Sequence, residues 1–259
     1  MTEKNAIVAE GVVRSGSTSR GMGGVKPFDK ESWQPKTALG KKVKAGEVTS
    51  IDQILDNGIA ILEAEITDVL LPNLQVELLL IGQSKGKFGG GKRTIWRQVQ
   101  KKTAEGNKPH FAALAVVGNK NGYVGIGYGK ARETVPAREK AVRNAKLNVI
   151  KIRRGSGSWE SVAPEANSIP FAVKGRCGSV RVTLMPAPKG TGLVIEKTGK
   201  VLMQLAGVKD IYSKTFGQTK TKVNAVKAFF AALKQLSEVK VQQKQYKDFG
   251  IVEGGQFHE

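Results

Sequence analysis

The stretch at residues 111–146, FAALAVVGNKNGYVGIGYGKARETVPAREKAVRNAK, decides the fold of the first half of the chain. It opens with a short apolar run, residues 111–117, that has the length of a buried β-strand. Asn121 and Gly122 follow this run. An Asn-Gly pair between apolar runs predicts a tight hairpin turn, because both residues accept a positive φ angle. We therefore expect a further strand directly after the turn.

This further strand divides its side chains unevenly between its two faces. Three apolar or aromatic residues on one face alternate with three glycines on the other: Val124, Ile126 and Tyr128 against Gly125, Gly127 and Gly129. Glycines along one face leave room for another backbone to approach closely. A long basic helical pattern then covers residues 134–149, with Pro136 tolerated in its first turn.

The residues before the apolar run complete a known order of elements. A strand is expected from about residue 95, and the polar, basic residues 101–108 predict the loop that joins it to the apolar run. Apolar residues spaced over 66–80 predict two short helices or one helix kinked at Pro72. Helix, three antiparallel strands and helix is the order of a double-stranded-RNA-binding domain, which reads duplex shape through minor-groove and phosphate contacts.

Charge points to a polyanionic partner. The 259 residues carry a formal net charge of +20, and residues 93–155 alone contain 15 Lys and Arg against 3 Asp and Glu. Such a basic surface is typical of nucleic-acid binding. No apolar run approaches the roughly 18 residues of a spanning helix, and the N-terminus lacks the apolar segment of a signal peptide. The single cysteine, Cys177, fits a reducing cytosol, so we expect a cytoplasmic location.

The second half of the chain predicts another α+β domain. After a hinge at 152–158, strands are expected at 169–173 and 179–184, then a turn at 186–192, a helix at 200–206, a strand at 209–212 and a helix at 221–236. We therefore expect residues 1–30 to form a flexible tail, 31–92 a helical N-terminal segment, 66–154 the double-stranded-RNA-binding-like domain, 155–236 the second domain and 237–259 a polar tail extended on the surface.

No catalytic site is apparent in the sequence. His110 and His258 are far apart, and Cys177 has no close ligand partner, so neither a metal nor a cofactor is expected. Two alternatives remain open: a free-standing duplex-RNA-binding protein, and a phosphate-transferring enzyme built on the glycine turn at 186–192. Residues 82–92 (GQSKGKFGGGK) lack the GxxxxGK[ST] spacing of a nucleotide-binding loop, which favours a flexible arm.

Two segments, 111–146 and 178–217, resemble the signature of the universal small-subunit ribosomal protein S5 family. The segment at 33–71, which begins WQPKTALGKKVKAGEVTSIDQIL, is similar to its archaeal and eukaryotic branch. Residues 156–159 (SGSW) and 216–224 (FGQTKTKVN) resemble the archaeal members. The resemblance implies two α+β domains, a double-stranded-RNA-binding-like domain followed by a second domain of the βαβ type, at the junction of the body and head of the small subunit. It also implies contacts with small-subunit rRNA, with mRNA where it enters the ribosome and with the small-subunit proteins S4 and S8, a role in translational accuracy, and no enzymatic activity.

The chain departs from this branch in two places. Relatives often carry cysteines just after the hinge, whereas Ser156, Ser158 and Ser161 stand here, so no zinc site is expected. The glycine-rich arm at 82–92 looks unusual for the family and inherits no role.

RNA contacts are expected from several basic or hydrogen-bonding groups. The resemblance implies that the loop at 101–110 reaches rRNA, and backbone amides of the 186–192 turn and of helix starts suit phosphate. The candidate RNA-binding residues are Arg97, Lys101, Lys102, Lys108, His110, Lys120, Asn121, Lys130, Arg132, Arg153, Arg154, Lys174, Arg176, Arg181, Lys189, Gly190, Thr191, Lys214, Gln218, Thr219, Lys220 and Lys222.

Overall fold

The first half of the chain is organised on a five-stranded antiparallel sheet in the computed structural model, which describes residues 32–83, 93–161 and 164–257. The strands are β1 (Gln75–Leu78), β2 (Arg97–Thr103), β3 (Gly106–Gly118), β4 (Tyr123–Ala131) and β5 (Val149–Lys151). β1 and β2 pair with successive parts of one edge of β3, and β4 and β5 continue the sheet beyond its other edge. The expected tail at 1–30 and residues 84–92 of the expected arm lie outside the described residues.

Four helices cover one face of this sheet: α1 (Ala38–Ala45), α2 (Asp52–Asp56), α3 (Ala64–Leu70) and α4 (Thr134–Leu147). Each contributes a buried side chain to one core cluster with the face of β3 that carries Ala113, Ala115 and Val117. The prediction of helix across 66–80 is wrong in its second half. Helix α3 ends before Pro72, whose missing N–H and fixed φ disfavour its continuation, and the next residues form the edge strand β1.

The glycine face of β4 lies directly against α4, which confirms the expectation of a close backbone approach. A Cβ atom on Gly127 would lie 2.1 Å from the backbone nitrogen of Ala145, and one on Gly129 would lie 2.3 Å from the carbonyl oxygen of Ala137. Only glycine fits at such distances. The helix itself begins after Glu133 and holds Pro136 within its first turn, as the sequence predicts.

The second half contains a four-stranded sheet. The chain leaves the first sheet through β6 (Arg153–Arg154) and then forms β7 (Val173–Cys177), β8 (Val180–Pro186), β9 (Leu193–Val194) and β10 (Ile211–Phe216), in the spatial order β7-β8-β10-β9. Parallel strands β9 and β10 are joined by α5 (Lys197–Ala206), which confirms the βαβ unit, and α6 (Lys222–Glu238) packs on β7 and β8. The strand expected at 169–173 begins only at Val173, because Ser168 and Ile169 instead hydrogen-bond to the hinge.

The two sheets share one hydrophobic core. Val124 and Ile126, on the apolar face of β4, belong to the same buried cluster as Leu202 and Leu205 of α5. The first sheet is therefore covered on both faces, by its own helices and by the second half of the chain.

A backbone contact fixes this arrangement at the β3–β4 turn. The amide of Lys120 donates to the carbonyl oxygen of Leu205 at 2.9 Å, and the amide of Gly122 donates to that of Ala206 at 3.1 Å. The last carbonyls of a helix have no partner within the helix. The turn that the sequence predicts thus also caps α5 from the other half of the molecule.

The C-terminal residues are folded rather than extended on the surface, so that expectation is wrong. They form α7 (Gln243–Asp248), β11 (Val252–Glu253) and β12 (Gln256–Phe257), and β11 pairs antiparallel with β6 at the hinge. Ile251 and Val252 are buried, which supplies the apolar area that holds this segment in place.

Candidate nucleic-acid interface

A two-stranded hairpin projects from the first sheet. β4 pairs with β3 only from Phe111 onward, whereas β2 pairs with β3 as far as Thr103 opposite Gly106. Within the part of the chain that the structure describes, residues 99–110, which we call the hairpin arm, therefore have no third strand beside them. The arm reaches about 17 Å beyond the part of β3 that pairs with β4, at about 3.4 Å per residue pair. The loop expected at 101–110 is in fact most of this arm. Its strands carry little apolar surface, which is why its sequence resembles a loop.

One face of the hairpin arm is cationic. Residues directly opposite each other in an antiparallel pair share a face, so Lys101 and Lys108 lie side by side. Arg97, His110 and, across β3, Lys130 belong to the same face. The only acidic residue between Arg97 and Glu133 is Glu105 at the tip, which pairs with Lys108 at 2.8 Å in an exposed ion pair. Lys102 points to the opposite face.

This face leads into a cleft between the two halves of the molecule, which we call the junction cleft. Its lining combines the base of β2 with the start of α6: Ile81, Gly82, Gln83, Arg93, Arg97, Lys220, Thr221, Lys222 and Val223. Arg93 donates to the carbonyl oxygen of Lys220 at 3.5 Å and so spans the cleft. Lys222 forms an ion pair with Glu196. The first turn of α6 holds no acidic residue, so its positive end adds to the potential here.

Further candidates are exposed on neighbouring surfaces. Lys130 and Arg132 precede the start of α4, and Gln218, with the half-buried Thr219, occupies the turn before α6. The outward face of the second sheet carries four exposed cations: Lys174, Arg176, Arg181 and Lys214.

Two predicted contacts are engaged inside the protein instead. Arg153 donates to Glu253 Oε1 at 2.5 Å and to the carbonyl oxygens of Leu236 and Val239 at the end of α6. Arg154 donates to Asn121 Oδ1 at 2.7 Å and to the carbonyl oxygen of Gly254 at 2.9 Å. Burial lowers the pKa of Arg154 from its usual value. These groups, with Lys120 and Asn121 in the turn, join the hinge, the C-terminal residues and the second half.

The backbone amides of the glycine turn at 186–192 are also hydrogen-bonded within the protein. The amides of Gly190 and Gly192 both donate to Asp210 Oδ1, at 3.2 and 2.8 Å, and the amide and hydroxyl of Thr191 both donate to the carbonyl oxygen of Pro188. Lys189 forms an exposed ion pair with Glu165. The side chain of Asp210 thus accepts the hydrogen bonds from the amides that the sequence suggested for phosphate. The alternative of a phosphate-transferring enzyme therefore has no free phosphate-binding amides at Gly190 and Gly192.

Sequence reasoning missed three groups beside the predicted cations, the half-buried Arg93 and two exposed aromatic residues. Arg93 borders the junction cleft, and Tyr212 and Phe216 lie on the outward face of the second sheet. The period-two order of Tyr212, Lys214 and Phe216 was the available signal for the last two. Within the described ranges, no group of three His, Cys, Asp or Glu is placed to hold a metal ion, and no helix is long and apolar enough to cross a membrane.

Comparison with known proteins agrees with this architecture. Residues 95–153 match the family model "Ribosomal protein S5, N-terminal domain", and residues 175–246 match "Ribosomal protein S5, C-terminal domain". Proteins named small ribosomal subunit protein uS5 are similar along nearly their whole length. The one from Nanoarchaeum equitans is 52% identical over 224 residues, covering 86% of this chain and 96% of its own.

Two further relatives carry the same name. The protein from Methanothermobacter thermautotrophicus is 48% identical, covering 86% of this chain and 97% of its own. The protein from Methanocaldococcus jannaschii is 44% identical, covering 88% of this chain and 98% of its own. The chain therefore belongs to the ribosomal protein uS5 family and is a structural, non-enzymatic protein of the small ribosomal subunit.

Proposed function

We propose that this chain binds small-subunit rRNA through the hairpin arm and the junction cleft. The observation that carries the proposal is the placement of Lys101 directly opposite Lys108. Like charges directly opposite each other destabilise a pair of strands. Glu105 pairs with Lys108 alone, and because this ion pair is exposed it offsets little of the repulsion. RNA phosphates would neutralise both lysines. A pair of residues that destabilises the free arm would then favour the bound one, which supports binding to a polyanion.

The mode of binding follows from the shape of the first half. We propose that the first half contains a double-stranded-RNA-binding-like domain, formed by α3, the strands β2 to β4 and α4. Its hairpin arm would follow the phosphates of one rRNA helix, and the junction cleft, between the base of β2 and the start of α6, would bind the adjoining segment of rRNA. Contacts of this kind recognise backbone shape rather than base sequence. Arg153, Arg154 and the 186–192 turn stay outside the proposed interface because the protein already uses their hydrogen-bonding groups.

The place within the subunit is part of the same proposal. The resemblance of residues 111–146 and 178–217 to the family signature supports a position at the junction of body and head, near the incoming mRNA and the proteins S4 and S8. The core shared by the two sheets, with the hairpin arm bound to rRNA, would hold the body and the head of the subunit in one relative position. The chain would support translational accuracy in this way.

The test is the salt dependence of binding to purified small-subunit rRNA. With about six phosphates neutralised on helical RNA, the slope of log K against log salt would be near −5. Replacing both Lys101 and Lys108 with Gln should reduce the slope by about 2. The matched control Lys234→Gln removes an exposed lysine of α6 that pairs with Glu238, away from the arm. A slope near zero, or equal slopes for the arm variant and wild type, would refute the proposal.

A further inference from the structure

The outward face of the second sheet has an unusual composition. Direct pairing places Arg176, Arg181 and Phe216 in one row across β7, β8 and β10, and Lys174, Thr183 and Lys214 in the next. A third row contains Met185, Tyr212 and Val194. No outward position on the four strands carries Asp or Glu.

Among the described residues, helices cover only the opposite face. A Cβ atom on Gly175, which points inward, would lie 2.1 Å from the carbonyl oxygen of Ala228 in α6. Lys174 and Arg176, on either side of that glycine, therefore face away from the helix, and both are exposed. The second sheet thus presents one face to its core and the other to solvent.

Two aromatic rings stand among these cations. Phe216 keeps 51% of its surface exposed and Tyr212 keeps 38%. The two residues lie four positions apart on one side of β10, about 13 Å along the strand. Lys214 lies between them, with its Nζ 5.6 Å from the centroid of the Phe216 ring. Aromatic rings that alternate with cations along a strand are the groups from which sites for single-stranded nucleic acid are built.

We propose that this face binds a single-stranded segment of RNA, with unpaired bases stacked on Phe216 and Tyr212 and the intervening phosphates held by the four cations. The inference rests on the proposed rRNA-binding function and adds a second site with a different substrate. Bases within a duplex are stacked on each other and offer no free surface to a ring, whereas an unpaired base stacks on any aromatic side chain. The absence of acids across the face suits a polyanion such as RNA. The two exposed rings among the cations suit unpaired bases, which stack on aromatic side chains, better than an acidic protein surface.

The experiment compares two labelled probes on the full-length protein. One is an unstructured oligouridine of about 12 nucleotides, and the other is an RNA duplex of about 16 base pairs. Phe216→Ala should weaken oligouridine binding roughly 5- to 150-fold, the range for loss of one base–aromatic stack. Its salt slope should stay unchanged, because no charge is lost. Phe216→Trp should restore the affinity, and duplex binding should change little for either variant.

Charge variants and a matched control complete the test. Arg181→Gln should reduce the oligouridine salt slope by about 0.7, the value for one phosphate contact on single strands. The control Trp159→Ala removes a side chain that is 92% exposed outside this sheet and should leave oligouridine affinity unaltered. Ultraviolet cross-linking should join oligouridine to the peptide that contains Tyr212 and Phe216.

Failure of this inference is distinguishable from failure of the proposed function. Suppose that the protein binds the duplex and small-subunit rRNA, and that Phe216→Ala binds oligouridine as tightly as wild type does. The single-strand site on the second sheet is then refuted, whereas rRNA binding by the hairpin arm still stands. If Phe216→Ala instead loses a neighbouring ribosomal protein and keeps its oligouridine affinity, the face is a protein interface. A wild-type chain that binds none of the RNAs overturns both proposals.

Discussion

A Cβ atom on Gly127 of β4 would lie 2.1 Å from the backbone nitrogen of Ala145 on α4. Strand and helix are thus in backbone contact, and their separation is set by the missing side chain. This contact positions α4 over the sheet from which the hairpin arm projects, so the geometry of the proposed interface depends on it.

Replacing this glycine should destabilise the protein strongly. In Gly127→Ala, the added methyl group meets backbone on α4 and cannot be accommodated by a rotamer change, so we expect a loss of about 3 kcal/mol or more in the free energy of unfolding. Urea titration measures it. The control Gly46→Ala has a φ of +84° and nothing within 4 Å of the new atom, and should lose only about 1–2 kcal/mol. Equal losses would show that the close packing is not required.

The sequence predicts this part of the fold because the signal is local. Glycines on one face of β4, the Asn-Gly turn and the helical pattern with Pro136 lie within one continuous stretch. Strand β1 could not be predicted in the same way. Its residues have apolar spacing compatible with a helix, and only pairing with β3, some 40 positions later in the chain, makes them a strand.

The carboxylate of Glu253 should contribute to stability through Arg153. Their side chains are 13% and 14% exposed, and Glu253 also accepts a hydrogen bond from Tyr246 at 2.6 Å. Glu253→Ala should lower the free energy of unfolding by about 1.5–3 kcal/mol, the range for hydrogen bonds to charged groups. The control Glu105→Ala breaks an exposed pair at the tip of the arm, and should cost about 0–1 kcal/mol. Equal costs in thermal or urea unfolding would contradict the anchoring role of the C-terminal residues.

Partners remote in sequence explain why the candidate site was only partly predictable. In the sequence, Arg153 and Arg154 are indistinguishable from other basic hinge residues. Their acceptors include Glu253 and Gly254, each 100 positions later in the chain. Gly190 and Gly192 likewise meet Asp210 only after α5 brings it back to the turn. The cations of the hairpin arm are exposed, and their neighbours in sequence are also their neighbours in space, so no remote carboxylate of the described residues pairs with them. Their contact with RNA remains a prediction.

Stability at acidic pH should depend on Glu63. Burial raises the pKa of this carboxyl, but hydrogen bonds from the amides of Thr37, at 2.6 Å, and Lys36, at 2.8 Å, outweigh it and hold the pKa below its usual value. A lowered folded-state pKa contributes stability above the unfolded value of about 4.3, and this stability is lost as pH falls through the folded value.

The variant Glu63→Gln keeps the shape and removes the charge. We expect it to be about 1–2 kcal/mol less stable than wild type at pH 6, with the difference shrinking below about pH 4. Urea unfolding across this pH range provides the comparison, and exposed Glu47→Gln controls for the change in net charge. A difference that grew on acidification would contradict the assignment.

The position of the hairpin arm in the subunit gives the most direct test of the account. Cys177→Ala removes the only cysteine, so Ala104→Cys can carry an iron chelate at the tip of the arm and Ser237→Cys can carry one at the far end of α6. After assembly into small subunits, hydroxyl radicals from position 104 should cleave small-subunit rRNA at a few neighbouring nucleotides, more strongly than those from position 237. Assembled subunits in which position 104 produces no rRNA cleavage would contradict the claim that the arm binds rRNA.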